Sequence, residues 1–178
     1  MRFSATGIEG VVIVDLDPVA DERGAFARLH CPEEFAAAGH PFTPLQTSLS
    51  RNLKAATLRG LHYEAAPHEE AKLVRVTRGA IFDVAVDLRQ DSPTYRRWTG
   101  TELTAENGRA LLIGRGLAHG FVTLADDTDV LYQIDRIFEP GHGRGARWDD
   151  PAFGIQWPLT TRIMSERDAT YPDHGSAS

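Results

Sequence analysis

The sequence contains a single cysteine, Cys31, which excludes an internal disulfide and a zinc site built from several cysteines. Basic residues are also fewer than acidic ones. The 19 Lys and Arg residues stand against 25 Asp and Glu, and the net charge of −6 argues against a general surface for nucleic acid or anionic membranes. No apolar run is long enough for a membrane span or a signal peptide, because Asp15 and Asp17 interrupt the N-terminal run. A cytoplasmic location is therefore predicted.

Helical patterns are scarce, and most of the sequence shows the alternation and spacing of short β-strands. The segment 80–89 alternates cleanly: one face is apolar, and the other carries Asp83 and Asp87. That second face is expected to be wet or functional. Besides this strand and the apolar run GVVIVDL, strands are predicted at 25–29, 44–50, 58–63, 72–78, 97–103, 110–113, 119–124 and 129–137.

Two short helices are predicted between the strands. The first begins at Pro32, carries two glutamates in its first turn and is closed by Gly39. The second begins at Ser165, a capping serine followed three residues later by an acid. Many short strands separated by turns favour a closed or sandwiched antiparallel β architecture that can hold a small ligand in its interior. One domain is expected over residues 1–178, with 172–178 as a flexible tail.

The segment LRGLHYEAAPHEEAKLVRV, residues 58–76, is rich in nitrogen bases. Alternation places Gly60, His62 and Glu64 on one face of its strand, and Arg59, Leu61 and Tyr63 on the other. Taken alone, His62 is most simply a hydrogen-bonded histidine on a half-buried strand. His119 follows the glycine-rich turn Gly114-Arg-Gly, so it faces either water or a cavity that the glycines allow it to approach.

A metal site on His62, Glu64 and His119 is one hypothesis, because histidines on separate strands of a small β-barrel bind iron, zinc or manganese together with a carboxylate. Two features oppose it. Glu64 stands where metal-binding barrels of this kind have their second histidine, and Lys72 is expected nearby, where it would repel a divalent cation.

Arginine and lysine residues at strand ends and turns provide a second kind of candidate. Arg grips a phosphate through two hydrogen bonds and Lys supplies a compact charge, so a diphosphate ligand is chemically plausible. Each cation alone is equally consistent with a solvated surface charge. Tyr132 is either a core tyrosine with a satisfied hydroxyl or a general acid or base inside the barrel. The cations concerned are Arg23, Arg59, Lys72 and Arg167.

The assembled motifs resemble the dTDP-4-dehydrorhamnose 3,5-epimerase family. The resemblance covers nearly the whole chain and rests on eight segments in the same order. They are DERG at 21–24, LRGLHY, KLVRVTRGAIFDVAVDLR, SPTY, the AHGF around His119, the LYQ around Tyr132, RWDDPAFGIQWP and SERD. The resemblance implies a mainly β fold: a double-stranded β-helix (cupin or jelly-roll) barrel with a few short helices.

The resemblance also implies an isomerase that inverts carbons beside the ketone of a nucleotide-linked 4-keto-6-deoxyhexose without a metal or other cofactor. His62 would be the base, Asp168 its partner, Lys72 the cation for the enolate oxygen, and Tyr132 the acid on the opposite face. His119, oriented by Asp83, would support substrate binding. Further substrate contacts would come from Arg23, Phe26, Gln46, Arg59, Phe138 and Arg167. In the family, a neighbouring subunit lends the segment around Arg23 and Phe26, which implies a homodimer.

The chain departs from the family pattern at substrate-binding positions. Arg28 and Gly143 stand where the family commonly has glutamate, Thr47-Ser48 where it has Asp-Asn, and Arg167 where it has lysine. The reaction type is therefore better determined than the sugar. A monofunctional 3- or 5-epimerase, a metal-dependent oxygenase or isomerase, and a non-catalytic barrel that binds a nucleotide sugar are the alternatives.

Overall fold

The computed structural model describes residues 1–160 and 162–175. Its strands are β1 (Arg2–Ala5), β2 (Val11–Asp15), β3 (Val19–Asp21), β4 (Gly24–Phe26), β5 (Gln46–Asn52), β6 (Leu58–Glu64), β7 (Lys72–Arg78), β8 (Ala80–Asp87), β9 (Trp98–Thr104), β10 (Ala110–Ile113), β11 (Leu117–Thr123), β12 (Thr128–Ile134) and β13 (Gly143–Gly145). The helices in these ranges are α1 (Pro32–Ala37) and α2 (Glu166–Ala169). No helix among the described residues is long and apolar enough to cross a membrane.

Two antiparallel sheets enclose an apolar core. One has the strand order β1-β2-β10-β7-β12-β5, and the other has the order β13-β6-β11-β8-β9. Both sheets contribute side chains to the core between them, such as Val74 and Val130 from the first and Ala85 and Phe121 from the second. This arrangement confirms the mainly β, double-stranded β-helix fold that the sequence predicts.

The outer faces of the two sheets are also covered. Helix α1 places the fully buried Phe35 against the outer side of the six-stranded sheet. It begins at Pro32 as predicted, and Gly39 follows it with a φ of +83°, a conformation that suits glycine. Phe153 and Trp157 pack on the outer side of the five-stranded sheet. Both sheets are therefore apolar on two faces, and only the polar inward positions are free to form a site.

The predicted strands are all present, and their ends differ from prediction by no more than three residues. Three strands are not foreseen: β1, β3 and β13. The last of these has the sequence Gly-Arg-Gly, which carries no pattern of apolar side chains. It forms because its backbone pairs with β6, where Gly143 lies opposite Glu64 and Gly145 opposite His62.

The chain after Pro172 is partly anchored. The Pro172 carbonyl accepts a hydrogen bond from the Arg147 amide, and the His174 imidazole lies 3.0 Å from the Tyr95 hydroxyl. The His174 amide donates to Asp150. These bonds connect residues 172–175 to the barrel, and the flexible tail over 172–178 stays a prediction. Residues 176–178 lie outside the described ranges.

Simple alternation fails in β6, and the failure matters for the site. His62 pairs with His119 and Arg59 pairs with Phe121, so three steps along β6 match two steps along β11. A β-bulge of this kind inserts one residue, so the side chains that precede it on the strand point to the opposite face from the one that simple alternation predicts. Arg59 therefore shares the inward face with His62. The prediction that it lies on the opposite face is wrong.

The acidic face of β8 is buried. Asp83 and Asp87 are both 0% exposed, so of the two expectations, a wet face or a functional one, the wet face is wrong. Asp87 accepts hydrogen bonds from the Arg89 side chain and from the hydroxyls of Ser92 and Thr94. Burial by itself raises the pKa of Asp87, but these bonds together outweigh it and hold that pKa well below the ordinary value of 3.8. Asp87 is thus a buried anion that fixes the turn after β8.

Asp87→Asn is expected to lower the free energy of unfolding by about 2–3 kcal/mol at pH 7, because charged hydrogen bonds are lost and a buried donor group is left unpaired. Since the folded pKa lies below the unfolded one, the stabilisation is present above pH 3.8 and is lost as the pH falls toward the folded pKa. Urea unfolding at pH 7 and pH 3 tests this, with the exposed Asp91→Asn as control. A penalty as large at pH 3 as at pH 7 would contradict the ionised role.

Candidate active site

A buried carboxylate orients one histidine on the inward face of β6. The Nε2 atom of His62 lies 2.8 Å from Oδ1 of Asp168, and the backbone amide of Gly60 donates to Oδ2 at 3.3 Å. Burial raises the pKa of Asp168, but the hydrogen bond and charge of His62 and the Gly60 amide outweigh it, so the net pKa is lowered. Asp168 is therefore an anion. It fixes the tautomer with the proton on Nε2 and leaves Nδ1 as the basic nitrogen.

Helix α2 holds Asp168 in place. Ser165 caps the helix and accepts a hydrogen bond from the Asp168 amide at 3.1 Å, as the capping pattern predicts. Asp168 is 5% exposed, whereas the His62 side chain is 44% exposed. The carboxylate is therefore shielded from water, and the imidazole is open to a ligand.

The facing sheet carries Tyr132 and Lys72 on its inward side. Tyr132 pairs with Val74 and Lys72 with Ile134, so the two side chains share one face. Burial, reinforced by the Asp83 carboxylate, raises the pKa of Tyr132 far above its ordinary value of 10.0. The phenol is therefore neutral and able to donate a proton. The Nζ atom of Lys72 lies 2.9 Å from Oε1 of Glu70.

A second His–Asp pair lies beside the first. His119 on β11 places its Nε2 atom 2.7 Å from Oδ1 of Asp83, and both side chains are buried. Its ring meets Tyr132 edge-on, with the ring centroids 5.8 Å apart. Because His119 and His62 are cross-strand partners, the two pairs are adjacent on one wall. The more exposed His62 is the one that a ligand reaches.

A cavity of about 210 Å³ opens at His62. Several residues nominated from the sequence meet there, namely His62, Lys72, Phe138 and Arg167, together with Gly143. The other lining residues are Tyr63, Glu64, Glu70 and Arg144. The cavity thus combines a base, two kinds of cation and an aromatic ring, which suits an anionic ligand with a polar ring.

Arg59 and Gln46 also face inward, in supporting positions. Arg59 donates to Oδ1 of Asn52 at 2.8 Å and lines an adjoining cavity of about 260 Å³ with Asp168. The Gln46 amide oxygen accepts a hydrogen bond at 3.0 Å from the backbone of Phe138, whose ring is exposed. In this structure Gln46 therefore anchors the segment that carries Phe138.

Arg23 and Phe26 do not join the cavity at His62. They lie on the β3–β4 hairpin, and their exposures are 83% for the Arg23 side chain and 80% for Phe26. Arg23 instead bonds to Asp21 two residues away. They line a separate groove of about 500 Å³ on the hairpin itself.

The residues that differ from the family pattern lie in different surroundings. Arg28 forms an ion pair with Glu34 of α1. Ser48 lies opposite Tyr132 and shares its inward face, whereas the neighbouring Thr47 points outward. Gly143 lies in the cavity wall.

Two site residues were missed in the sequence. Tyr171 meets His62 edge-on at 6.0 Å, and Arg167 lies 5.6 Å above its ring. Only the tertiary fold brings this C-terminal tyrosine to β6. Glu70 pairs with Lys72, and a local signal existed for it, because the two residues are separated by one position just before β7.

The alternative metal site does not assemble. The Nε2 atoms of His62 and His119 each form a hydrogen bond with a carboxylate, Asp168 and Asp83 respectively. Among residues 1–160 and 162–175, the group of three metal-ligand side chains with converging atoms is instead His68, Glu139 and His142. Arg136 already contacts His68 in that group, with Nη2 at 3.2 Å from Nδ1. The His68 and His142 imidazole rings are stacked, with their centroids 3.5 Å apart.

These features define a barrel enzyme of the acid–base class, with a carboxylate-oriented histidine on one wall and a neutral tyrosine on the other. Comparison with known proteins agrees with this assignment to an enzyme class. The sequence model of the dTDP-4-dehydrorhamnose 3,5-epimerase family matches residues 5–175. The chain belongs to this family, whose members are isomerases. The resemblance and the enzyme class predicted from the sequence are thereby confirmed.

Individual relatives match over nearly their full length. The dTDP-4-dehydrorhamnose 3,5-epimerase of Sinorhizobium fredii is 41% identical over 97% of this chain and 89% of its own. The crystal structure of the Bacillus anthracis enzyme with TDP and pyrophosphate bound has a TM-score of 0.94 at 36% identity, covering 97% of this chain and 99% of that one. The Legionella pneumophila enzyme in complex with dTDP-4-keto-L-rhamnose has a TM-score of 0.90 at 33% identity, covering 97% and 92%.

Proposed function

We propose that this protein converts dTDP-4-dehydro-6-deoxyglucose to dTDP-4-dehydro-L-rhamnose by inverting C3 and C5 of the hexose. The observation that carries the proposal is the His62–Asp168 pair, 2.8 Å apart, on the wall opposite Tyr132. Inversion needs a base on one face of the sugar ring and an acid on the other, and the two sheets supply one each. Bound ligands in the relatives support a dTDP-sugar as substrate.

The first step removes a proton from the carbon beside the ketone. His62 accepts this proton, and Asp168 stabilises the resulting imidazolium. The electron pair of the broken C–H bond moves to the ketone oxygen, which becomes an enolate. Lys72, with its ammonium group at the cavity wall, neutralises that oxygen.

The second step returns a proton from the opposite face. Tyr132 donates its phenolic proton to the carbon as the enolate collapses to the ketone. Solvent then takes the extra proton from His62 and returns one to Tyr132. The raised pKa of Tyr132 keeps the phenol protonated until a strong base, the enolate carbon, is present. Because a proton leaves and a proton returns with no net oxidation, the proposed reaction needs no redox cofactor.

The nucleotide end of the substrate would be bound by the cations and aromatic rings around the cavity. In this proposal Arg59 and Arg167 contact the diphosphate, His119 supports the sugar, and Phe138 stacks on the pyrimidine base. Arg23 and Phe26 project from the hairpin and do not line the His62 cavity of their own chain. Their exposure, together with the exposed Leu49 on the edge strand β5, supports a homodimer in which each hairpin reaches the partner's site. A cytoplasmic location stays a prediction from composition.

Incubating the protein with dTDP-4-keto-6-deoxyglucose in deuterium oxide tests the function. Deuterium is expected at both C3 and C5 of the recovered sugar, measured by NMR and mass spectrometry. Incorporation at one carbon alone would indicate a monofunctional epimerase, and no incorporation at either would refute the proposal.

Tyr132→Phe is expected to retain exchange by His62 while slowing completed inversion by about 10²-fold, since only the acid on the second face is lost.

A further inference from the structure

Glu64 lies in the wall of the cavity at His62, and the proposed reaction gives it no role. It is two residues beyond His62 on β6, past the bulge, so both side chains share one face. Two residues along a strand span roughly 7 Å. A hexose ring with its hydroxyls is of comparable width. A sugar whose reacting carbon meets His62 therefore has a ring substituent within reach of Glu64.

The opposite strand leaves room for this carboxyl group. Gly143 on β13 is the direct cross-strand partner of Glu64. A Cβ atom placed on Gly143 would lie 3.4 Å from Oε1 of Glu64 and 3.9 Å from the Arg167 guanidinium. The space that a side chain at position 143 would occupy is therefore bordered by the Glu64 carboxyl and by Arg167.

The carboxyl group itself is incompletely bonded. The Oε2 atom of Glu64 is buried and has no hydrogen-bond partner among the described residues. Burial raises the pKa of Glu64, and the neighbouring Glu70 carboxylate raises it further. A buried oxygen without a partner carries a desolvation cost that a ligand hydroxyl would relieve.

We propose that Glu64 is a specificity-determining residue that hydrogen-bonds a ring hydroxyl of the hexose through its free carboxyl oxygen. The inference rests on the proposed function for the identity of the sugar. In a 4-keto-6-deoxyhexose, the free ring hydroxyls are those at C2 and C3, so Glu64 forms its hydrogen bond with one of these two. A carboxyl group repels a diphosphate and attracts a hydroxyl, which assigns this end of the cavity to the hexose.

Binding of non-reacting nucleotides isolates the contact from turnover. Isothermal titration would compare dTDP, dTDP-glucose and the 2-deoxy and 3-deoxy forms of dTDP-glucose on wild type and on Glu64→Ala. Glu64→Ala is expected to weaken dTDP-glucose binding about ten-fold, the scale of one hydrogen bond to a charged group, and dTDP binding less than two-fold. Removing the hydroxyl that Glu64 contacts should abolish this difference between the two proteins.

Two further variants test the carboxyl group itself. Glu69→Ala, in the loop between β6 and β7, should leave all affinities unchanged. In the double variant Glu64→Ala with Gly143→Glu, the carboxyl moves across the strand pair into the same space, and most of the hexose affinity should return.

Three results would overturn the inference. These are unchanged dTDP-glucose affinity in Glu64→Ala, an equal loss for dTDP, or no recovery in the swapped variant. A wild type that shows no deuterium exchange but keeps the Glu64-dependent preference for dTDP-glucose would refute the proposed function alone.

Discussion

Replacing His62 by alanine is expected to lower deuterium exchange at both C3 and C5 by about 10³-fold, in the middle of the range for a general base. No other described imidazole in the cavity at His62 can take over, because His119 lies deeper and has its Nε2 atom bonded to Asp83. The measurement is the initial rate of deuterium incorporation from deuterium oxide, with dTDP affinity determined in parallel to show that the site is still formed.

The matched control for this variant is His40→Ala. His40 follows α1 and packs beside Phe3, with ring centroids 5.8 Å apart and no part in the cavity. It should leave the exchange rate unchanged. If His62→Ala binds dTDP like wild type and still exchanges at the wild-type rate, His62 is not the base.

Gly60→Ala is expected to cost at least about 3 kcal/mol of folding stability, a large share of the total for a domain of this kind. Gly60 has a φ of +131°, and a Cβ there would lie 2.5 Å from the Cα of Gly120 and 3.0 Å from the His119 carbonyl. These contacts are with backbone, which cannot rotate away. Strand β6 would have to move off β11 and would carry His62 with it, so activity and stability should fall together.

Gly154→Ala separates backbone strain from the steric clash. Gly154 also has a positive φ, +61°, but a Cβ there meets nothing within 4 Å. It should cost only about 1 kcal/mol, the strain of a left-handed residue. Urea denaturation of both variants gives the comparison. Equal losses for Gly60→Ala and Gly154→Ala would show that the close approach of β6 and β11 is not what requires glycine at position 60.

Local pattern was sufficient for most of the fold. The alternating segment 80–89, the apolar run after Gly10 and the Pro32-to-Gly39 helix are encoded by neighbouring residues, because side-chain period and cap chemistry act over a few positions. Strand β13 was not predictable in this way. It consists of Gly-Arg-Gly and depends on a partner strand about 80 residues earlier in the chain for its hydrogen bonds.

The features of the site also fall into those that the sequence predicts and those that only the structure shows. The residue types of a base, an acid and cations are visible in the sequence, and the family resemblance nominated His62, Tyr132 and Lys72. The facing of Arg59 was mistaken, since the bulge between Arg59 and His62, where Gly60 lies close to Gly120, leaves no trace in an alternation pattern. Tyr171 reaches the site only through the tertiary fold, whereas the Lys72–Glu70 pair had a local signal that was missed.

By itself, the sequence determined the β class, the family and the chemical groups, because each depends on residue identity and short-range spacing. The tertiary structure decided which groups act together. It brought Asp168 to His62 across 106 positions and set Tyr132 on the opposite wall. It also left one carboxyl oxygen of Glu64, a residue of the wall of the cavity at His62, buried and without a hydrogen-bond partner among the described residues. The physical reason is that hydrogen bonds and burial act over a few ångströms in space. Only the folded sheets bring residues so distant in the chain that close together.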